Sequence, residues 1–135
     1  WKISGLSGTG AVSLNYTFAI KDTMTRLQSG IQSDHTIYFG TENGLLTSGD
    51  TIEITFPGFN LSGLDYSDMS ISDNVGTKSL GSGAVGSTWG VLASGTKITF
   101  TAPPSNTIAA GSMITVMIGK NVVSGAVQMT NPASA

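Results

Sequence analysis

Cysteine is absent from this chain, and histidine occurs once, at His35. The lack of cysteine excludes a disulfide framework, a thiolate metal site and a cysteine nucleophile. With one imidazole, a histidine-based metal site or a Ser-His-Asp relay has a single centre on which to form. Asp34 adjoins His35, but neighbouring side chains on a strand point to opposite faces. We therefore interpret His35 as a structural or surface residue.

Charged residues are scarce, since they make up 10% of the 135 residues and leave a formal net charge of -2 at pH 7. Nucleic acids and anionic membranes are bound by clustered basic residues, whereas the five lysines and one arginine here are scattered. The sequence has no run of about 18 apolar residues, the length that crosses a membrane as a helix. We expect neither a nucleic-acid partner nor a membrane span.

Small and hydroxylated residues dominate what is present, with 18 glycines, 18 serines and 17 threonines. This composition is typical of an exported β-protein and predicts an extracellular or cell-surface location. The chain opens on Trp1 rather than methionine, which fits a removed signal or a fragment, and both fit export. Its length fits one domain.

Large apolar side chains recur at every second position, the period of a strand with one wet and one dry face. Residues 51–57 (Thr-Ile-Glu-Ile-Thr-Phe-Pro) and 97–103 (Lys-Ile-Thr-Phe-Thr-Ala-Pro) share this pattern. Further strands are predicted at 11–20, 34–40, 67–72, 89–93, 112–119 and 122–129. The spacing predicts an all-β fold, an antiparallel two-sheet, immunoglobulin-like β-sandwich of about seven or eight strands.

Three segments carry more specific expectations. Residues 112–119 are apolar on both sides, which predicts a central strand covered on both faces. Residues 21–33 are interpreted as a turn or short helical piece, because Met24, Leu27 and Ile31 recur at helical spacing. Residues 73–87 are rich in glycine and serine and are interpreted as a long connection.

The first ten residues alternate glycine and serine, so we predict a flexible N-terminal arm at 1–10 and a single domain at 11–135. The arm and the strand that follows it carry regularly spaced apolar side chains, which form a candidate assembly strand. Its members are Trp1, Ile3, Leu6, Val12, Leu14, Tyr16, Phe18 and Ile20.

Few side chains in the sequence are candidates for catalysis or metal binding. Asp65, Asp68 and Asp73 surround a loop and offer oxygen ligands for Ca²⁺, but their spacing is not that of an EF-hand, and we interpret them as solvated turn residues. Glu42 and Glu53 are the two glutamates, and as a glycosidase pair they would have to converge in a cleft. We expect no enzyme activity, no metal and no cofactor.

Two further patterns concern sugars. Asn15 and Asn60 begin Asn-x-Ser/Thr sequons and are candidate glycosylation acceptors. Aromatic residues offer a carbohydrate-stacking platform, although Trp89 at the head of a strand is more simply a core residue. The members of that platform are Trp1, Tyr38, Phe59, Tyr66 and Trp89.

The segments at 34–39, 49–59, 88–100 and 128–132 together resemble a β-sandwich module of predicted secreted surface proteins from ultrasmall, uncultured candidate-phyla bacteria. The resemblance covers residues 22–135 and implies a cell-surface role without catalytic residues. In that module the Asn-Pro-Ala phrase is followed by a glycine and a further strand, whereas this sequence ends at Ala135. The departure predicts a sandwich that lacks its last strand and has an open edge.

Two functions follow from these patterns. The first is a structural subunit of an extracellular filament, pilus or surface layer, in which copies of the chain assemble by inter-subunit β-strand addition, as in donor-strand-complemented pili. The alternative is a monomeric adhesion or carbohydrate-binding module of a larger cell-surface protein, with surface glycans as partners.

Overall fold

The computed structural model describes residues 20–42 and 47–133, which form ten strands. The predicted arm at 1–10 and nearly all of the predicted strand at 11–20 lie outside the described residues. The strands are β1 (Lys21–Met24), β2 (Gln32–Ser33), β3 (His35–Thr41), β4 (Thr51–Thr55), β5 (Met69–Ser72), β6 (Leu80–Gly81), β7 (Trp89–Ser94), β8 (Lys97–Thr101), β9 (Ser112–Ile118) and β10 (Met129–Thr130). A single 3-10 turn, Tyr66–Asp68, precedes β5.

The strands form two four-stranded sheets and one two-stranded sheet. The first sheet has the order β1-β3-β9-β5 and is antiparallel throughout. The second has the order β4-β8-β7-β6, in which only β6 and β7 run parallel. The two-stranded sheet pairs β10 with β2. The predicted all-β class is confirmed, with three strands of only two residues raising the number above the expected seven or eight.

The two matching sequence segments pair with each other. Antiparallel β4 and β8 place Ile54 opposite Ile98 and Ile52 opposite Phe100. All four side chains are buried, because alternation turns them to the same face of the sheet. The polar residues between them lie on the other face, where Lys97 Nζ donates to Glu53 Oε1 at 2.9 Å.

The buried faces of both four-stranded sheets contribute to one apolar core. Each large side chain removed from water there contributes about 1.5–3 kcal/mol before the cost of ordering the chain. The first sheet supplies Ile37, Phe39, Met69, Ile71, Ile114, Val116 and Ile118, and the second supplies Ile52, Ile54, Trp89, Val91, Ile98 and Phe100.

The outer strands β5 and β6 are joined directly by the chain between them. Lys78 N–H donates to Ile71 O at 2.8 Å, and Trp89 N–H donates to Ser79 O at 2.8 Å. β6 then continues as the parallel neighbour of β7. The interpretation of residues 73–87 as a plain connection was therefore incomplete, because backbone hydrogen bonds tie this segment to both sheets.

Other expectations for single segments were wrong. Residues 21–33 contain β1 and β2 instead of a helical piece, and Leu27 of the supposed apolar stripe is exposed. β9 is central, but Met113 is 54% exposed, so only one of its faces is covered. The predicted strand at 122–129 is a series of turns that ends in β10.

Candidate functional site

Within the described residues, β1 is an edge strand that pairs on one side only. β1 pairs with β3 through the register Lys21 to Tyr38 and Met24 to His35. On its other side, no backbone group of β1 forms a hydrogen bond with another residue of the described part of the chain. Asp22 and Met24 lie opposite the buried Ile37 and His35, and both are half-buried. Strand edges of this kind present a row of main-chain donors and acceptors to a further strand.

Directly behind β1 lies a buried network centred on His35. His35 Nδ1 is 2.9 Å from Asp22 Oδ2, and His35 Nε2 is 3.1 Å from Ser33 Oγ. Ser33 Oγ in turn lies 2.5 Å from Asn131 Oδ1. His35 and Ser33 are fully buried, so the surface alternative for His35 was wrong. The structure assigns His35 to the interior.

The partners determine which atoms of this network donate. Asn131 Nδ2 donates to the carbonyl oxygens of Arg26 and Gln28, which leaves Asn131 Oδ1 as the acceptor for Ser33. Because the Ser33 hydroxyl has one proton, its oxygen accepts from His35 Nε2. The ring nitrogens thus face two oxygen atoms, Ser33 Oγ and Asp22 Oδ2.

The same geometry opposes a nucleophilic relay. In a Ser-His-Asp relay the imidazole takes the serine proton, which requires a free lone pair on the ring nitrogen that faces the hydroxyl. Here the Ser33 proton is directed at Asn131, and the hydroxyl lies inside the protein. The network therefore fixes the path of β2 and β3, and an Asp-His-Ser order alone gives no reactive serine.

One atom of the network remains unmatched. Asp22 Oδ1 is buried and has no hydrogen-bond partner among residues 20–42 and 47–133. A buried carboxylate oxygen without a donor costs about 1–3 kcal/mol, so such atoms call for an explanation. Asp22 lies on β1, and a segment that pairs with this edge has donors to offer it.

Sequence reasoning missed Asp22 and Ser33 as partners of His35, and Asn131 as the partner of Ser33. Asp22 sits diagonally across from His35 on paired strands, a relation that brings side chains of one face together. Asn131 reaches Ser33 because β10 pairs with β2. The signal in each case is the strand register, which the spacing of the residues along the chain does not reveal.

Asp65, Asp68 and Asp73 have different structural roles. Asp65 begins the 3-10 turn, and hydrogen bonds from the hydroxyl and the N–H of Ser67 hold the pKa of its carboxyl below the ordinary value. Asp68 is buried and accepts from the N–H groups of Ala126 and Val127 at 2.7 and 2.8 Å. The described residues contain no group of three acidic or histidine side chains placed to hold a metal.

Asp73 is also not a solvated turn residue. Its Oδ2 lies 2.8 Å from Lys78 Nζ, and both side chains are almost completely buried. Burial raises the pKa of Asp73, but hydrogen bonds from Lys78 and two backbone N–H groups outweigh it and leave the pKa below its ordinary value. The interpretation as solvated turn residues thus holds for Asp65 and was wrong for Asp68 and Asp73.

The candidate sugar-stacking aromatics do not form one platform. Trp89 is fully buried, and Phe59 makes an edge contact with His35 at 5.3 Å between ring centroids. Tyr38 lies on β3 and is exposed. Tyr66, also exposed, lines a groove of about 570 Å³ together with Asn121 and Ser124. Among the candidate aromatics within residues 20–42 and 47–133, Tyr66 combines exposure with a concave surface.

The remaining candidates fall partly outside the described residues. Asn60 is exposed, and its Oδ1 accepts from Ser62 N–H at 2.9 Å. Ile20 is exposed and directly precedes β1. The acceptor Asn15 and the other members of the assembly strand lie outside the described residues: Trp1, Ile3, Leu6, Val12, Leu14, Tyr16 and Phe18.

Comparisons with known proteins add no relative, because the chain matched no family model, no curated protein sequence and no solved structure. In the described part of the chain, no helix has the length and apolar character needed to cross a membrane.

Proposed function

We propose that this protein is a non-enzymatic structural subunit of an extracellular filament, pilus or surface layer, in which copies assemble by inter-subunit β-strand addition. The observation that carries the proposal is the side of β1 that pairs with no strand of residues 20–42 and 47–133, where Asp22 Oδ1 is buried without a donor from these residues. A strand from a neighbouring copy supplies main-chain hydrogen bonds to this edge and covers the half-buried Met24.

The incoming strand is the N-terminal segment of another copy. Residues 11–20 alternate apolar and polar side chains, and Val12, Leu14 and Phe18 fall on the apolar side. Alternation of this kind lets one face of an added strand pack on a core while its backbone pairs with the edge. The glycine-rich arm at 1–10 allows the segment to reach a neighbour.

The proposal includes the type of sandwich and the location of the protein. Two four-stranded sheets that share one core support an immunoglobulin-like two-sheet sandwich with an N-terminal arm. The resemblance to surface modules of candidate-phyla bacteria and the high content of serine, threonine and glycine support an extracellular location.

Deletion of residues 1–20 tests the proposal. We expect the full chain to form fibres or sheets in negative-stain images and the shortened chain to remain monomeric, because the added strand is gone. Circular dichroism and a cooperative thermal transition verify that the shortened chain is folded. Fibres formed by a folded chain without residues 1–20 would contradict the mechanism.

A matched pair of triple variants separates side-chain docking from loss of chain length. Changing Leu14, Tyr16 and Phe18 to serine removes the apolar face, whereas changing Ser13, Asn15 and Thr17 to alanine alters the other face of the same strand. We expect assembly to be lost in the first variant and kept in the second. Equal behaviour of the two variants would argue against a strand docked through its apolar face.

The second candidate is a monomeric adhesion or carbohydrate-binding module, which the exposed Tyr66 in its groove favours. Under this alternative the full chain is monomeric and binds surface glycans on an array, and Tyr66→Ala abolishes binding. Tyr38→Ala is the matched control, because Tyr38 is similarly exposed on another element. The two functions are thus distinguished by the assembly state of the full chain.

A further inference from the structure

The side chain of Lys78 ends in an unusual position for a lysine. The residue is only 7% exposed, although lysine is almost never buried unless paired. Lys78 Nζ lies 2.8 Å from Asp73 Oδ2, 3.3 Å from Asn106 Oδ1 and 3.3 Å from Thr107 O. The Lys78 amine is therefore within hydrogen-bond distance of both a carboxylate and a side-chain amide oxygen.

Asn106 is held against this amine from several directions. Its Nδ2 donates to Ser87 O at 3.0 Å, and its main-chain oxygen accepts from Trp89 Nε1 at 2.8 Å. The backbone φ of Asn106 is 71°, in the left-handed region that residues other than glycine adopt uncommonly. The amide is thus fixed in orientation, with its oxygen directed at Lys78 Nζ.

An ion pair alone is a weak reason for this arrangement. Removing two charges from water costs as much as their attraction returns in many buried pairs, so burial of Lys78 and Asp73 does not by itself stabilise the fold. Reaction between two groups becomes fast when they are held at about 3–3.5 Å in a fixed orientation. Lys78 Nζ lies 3.3 Å from Asn106 Oδ1, the oxygen bonded to the carbon that an amine would attack.

We propose that Lys78 and Asn106 form an intramolecular amide bond, with Asp73 as the group that moves the proton. Asp73 Oδ2 accepts a proton from the Lys78 ammonium, and the neutral amine attacks Asn106 Cγ to form a tetrahedral intermediate. Asp73 then delivers the proton to the departing Nδ2. The new Nζ–Cγ bond forms, the Cγ–Nδ2 bond breaks, and the displaced nitrogen leaves as ammonia, which takes up the remaining ammonium proton as an ammonium ion.

Two observations support the roles of the participants. Asp73 Oδ2 lies 2.8 Å from Lys78 Nζ, and the lowered pKa of Asp73 means that near neutral pH the group is the carboxylate that faces the amine. Asn106 lies at the surface, although Lys78 is buried, so the released ammonia has a short way out. The reaction requires no oxidant, metal or cofactor.

The bond joins parts of the chain that the fold already brings together. Lys78 lies in the segment that connects the outer strands β5 and β6, and Asn106 lies between β8 and β9. A covalent link between them restricts the unfolded chain and fastens the connecting segment to the rest of the structure. This inference is independent of the proposed assembly, because it concerns each single copy of the chain.

Intact mass spectrometry of the denatured, purified full chain tests the inference. We expect a mass below that of the sequence by one ammonia, and a proteolytic digest with one branched peptide that contains both Lys78 and Asn106. Lys78→Arg keeps a positive charge but lacks the primary amine, so it is expected to have its full sequence mass. Asn106→Ala is expected to do the same.

The branched peptide from the wild-type chain identifies the linkage directly, so the test does not depend on how well a variant folds. Loss of ammonia that persists in Lys78→Arg would place it at another asparagine and overturn the proposal, as would an unmodified mass of the wild-type chain. Asp73→Asn retains both reacting side chains and is expected to remain unlinked. A branched peptide in Asp73→Asn would overturn the assignment of the proton transfer to Asp73.

Discussion

Replacement of Trp89 by alanine is expected to lower the free energy of unfolding by about 3–5 kcal/mol, the range for removal of a large aromatic side chain from a packed core. Trp89 is fully buried at the start of β7, where it belongs to the core shared by both four-stranded sheets. Its Nε1 also donates to Asn106 O at 2.8 Å. Alanine would leave a cavity and remove the donor of that carbonyl oxygen.

Leu92→Ala is the matched control on the same strand. Leu92 is 64% exposed, so its truncation removes few contacts and is expected to change the free energy of unfolding by less than about 0.5 kcal/mol. Urea titrations followed by circular dichroism give both values on one scale. Similar midpoints for the two variants would contradict the position of Trp89 in the core.

Asp68→Ala is expected to destabilise the fold by about 3 kcal/mol, because a buried carboxylate that accepts backbone hydrogen bonds leaves its donors unsatisfied when it is removed. Asp68 Oδ1 accepts from Ala126 and Val127 N–H, and its Oδ2 accepts from Asp65 N–H at 3.2 Å. These bonds hold the turns after β9 against the 3-10 turn. We expect those turns to become more susceptible to proteolysis as well.

Asp65→Ala is the comparison for this variant. Asp65 also accepts backbone and hydroxyl hydrogen bonds, both from Ser67, but it is exposed and water replaces it as an acceptor. We expect a much smaller loss of stability and unchanged cleavage of residues 119–128. Equal thermal melting temperatures for the Asp65 and Asp68 variants would show that Asp68 does not support these turns.

The alternation of apolar and polar residues along the sequence was sufficient to predict most of the strands. Ile52, Ile54, Ile98 and Phe100 alternate with polar residues, and this period identified β4, β8 and their buried faces without knowledge of their pairing. The same reasoning failed at 21–33 and 122–129, where the apolar pattern is weak. There, hydrogen bonds to distant residues determine the backbone, as Asp68 does for Ala126.

The polar sites depended on register and topology. His35 was recognised as the single imidazole, but the pairing of β1 with β3 brings Asp22 to it, and the pairing of β10 with β2 brings Asn131 to its neighbour Ser33. Asp73 was interpreted as a solvated turn residue because it lies by a loop and its spacing from Asp65 and Asp68 is not that of an EF-hand. Its burial beside Lys78 follows from the way the segment before β6 crosses between the sheets.

The sequence by itself thus determined the all-β class, the faces of the regular strands and the scarcity of reactive groups, because composition and alternation are local properties. Only the tertiary structure decided that Lys78 meets Asn106 and that Asp22 contacts His35 from the paired strand β1. Contacts between residues far apart in the chain depend on which strands become neighbours and in what register. That choice rests on the packing of the whole core, which no short segment encodes.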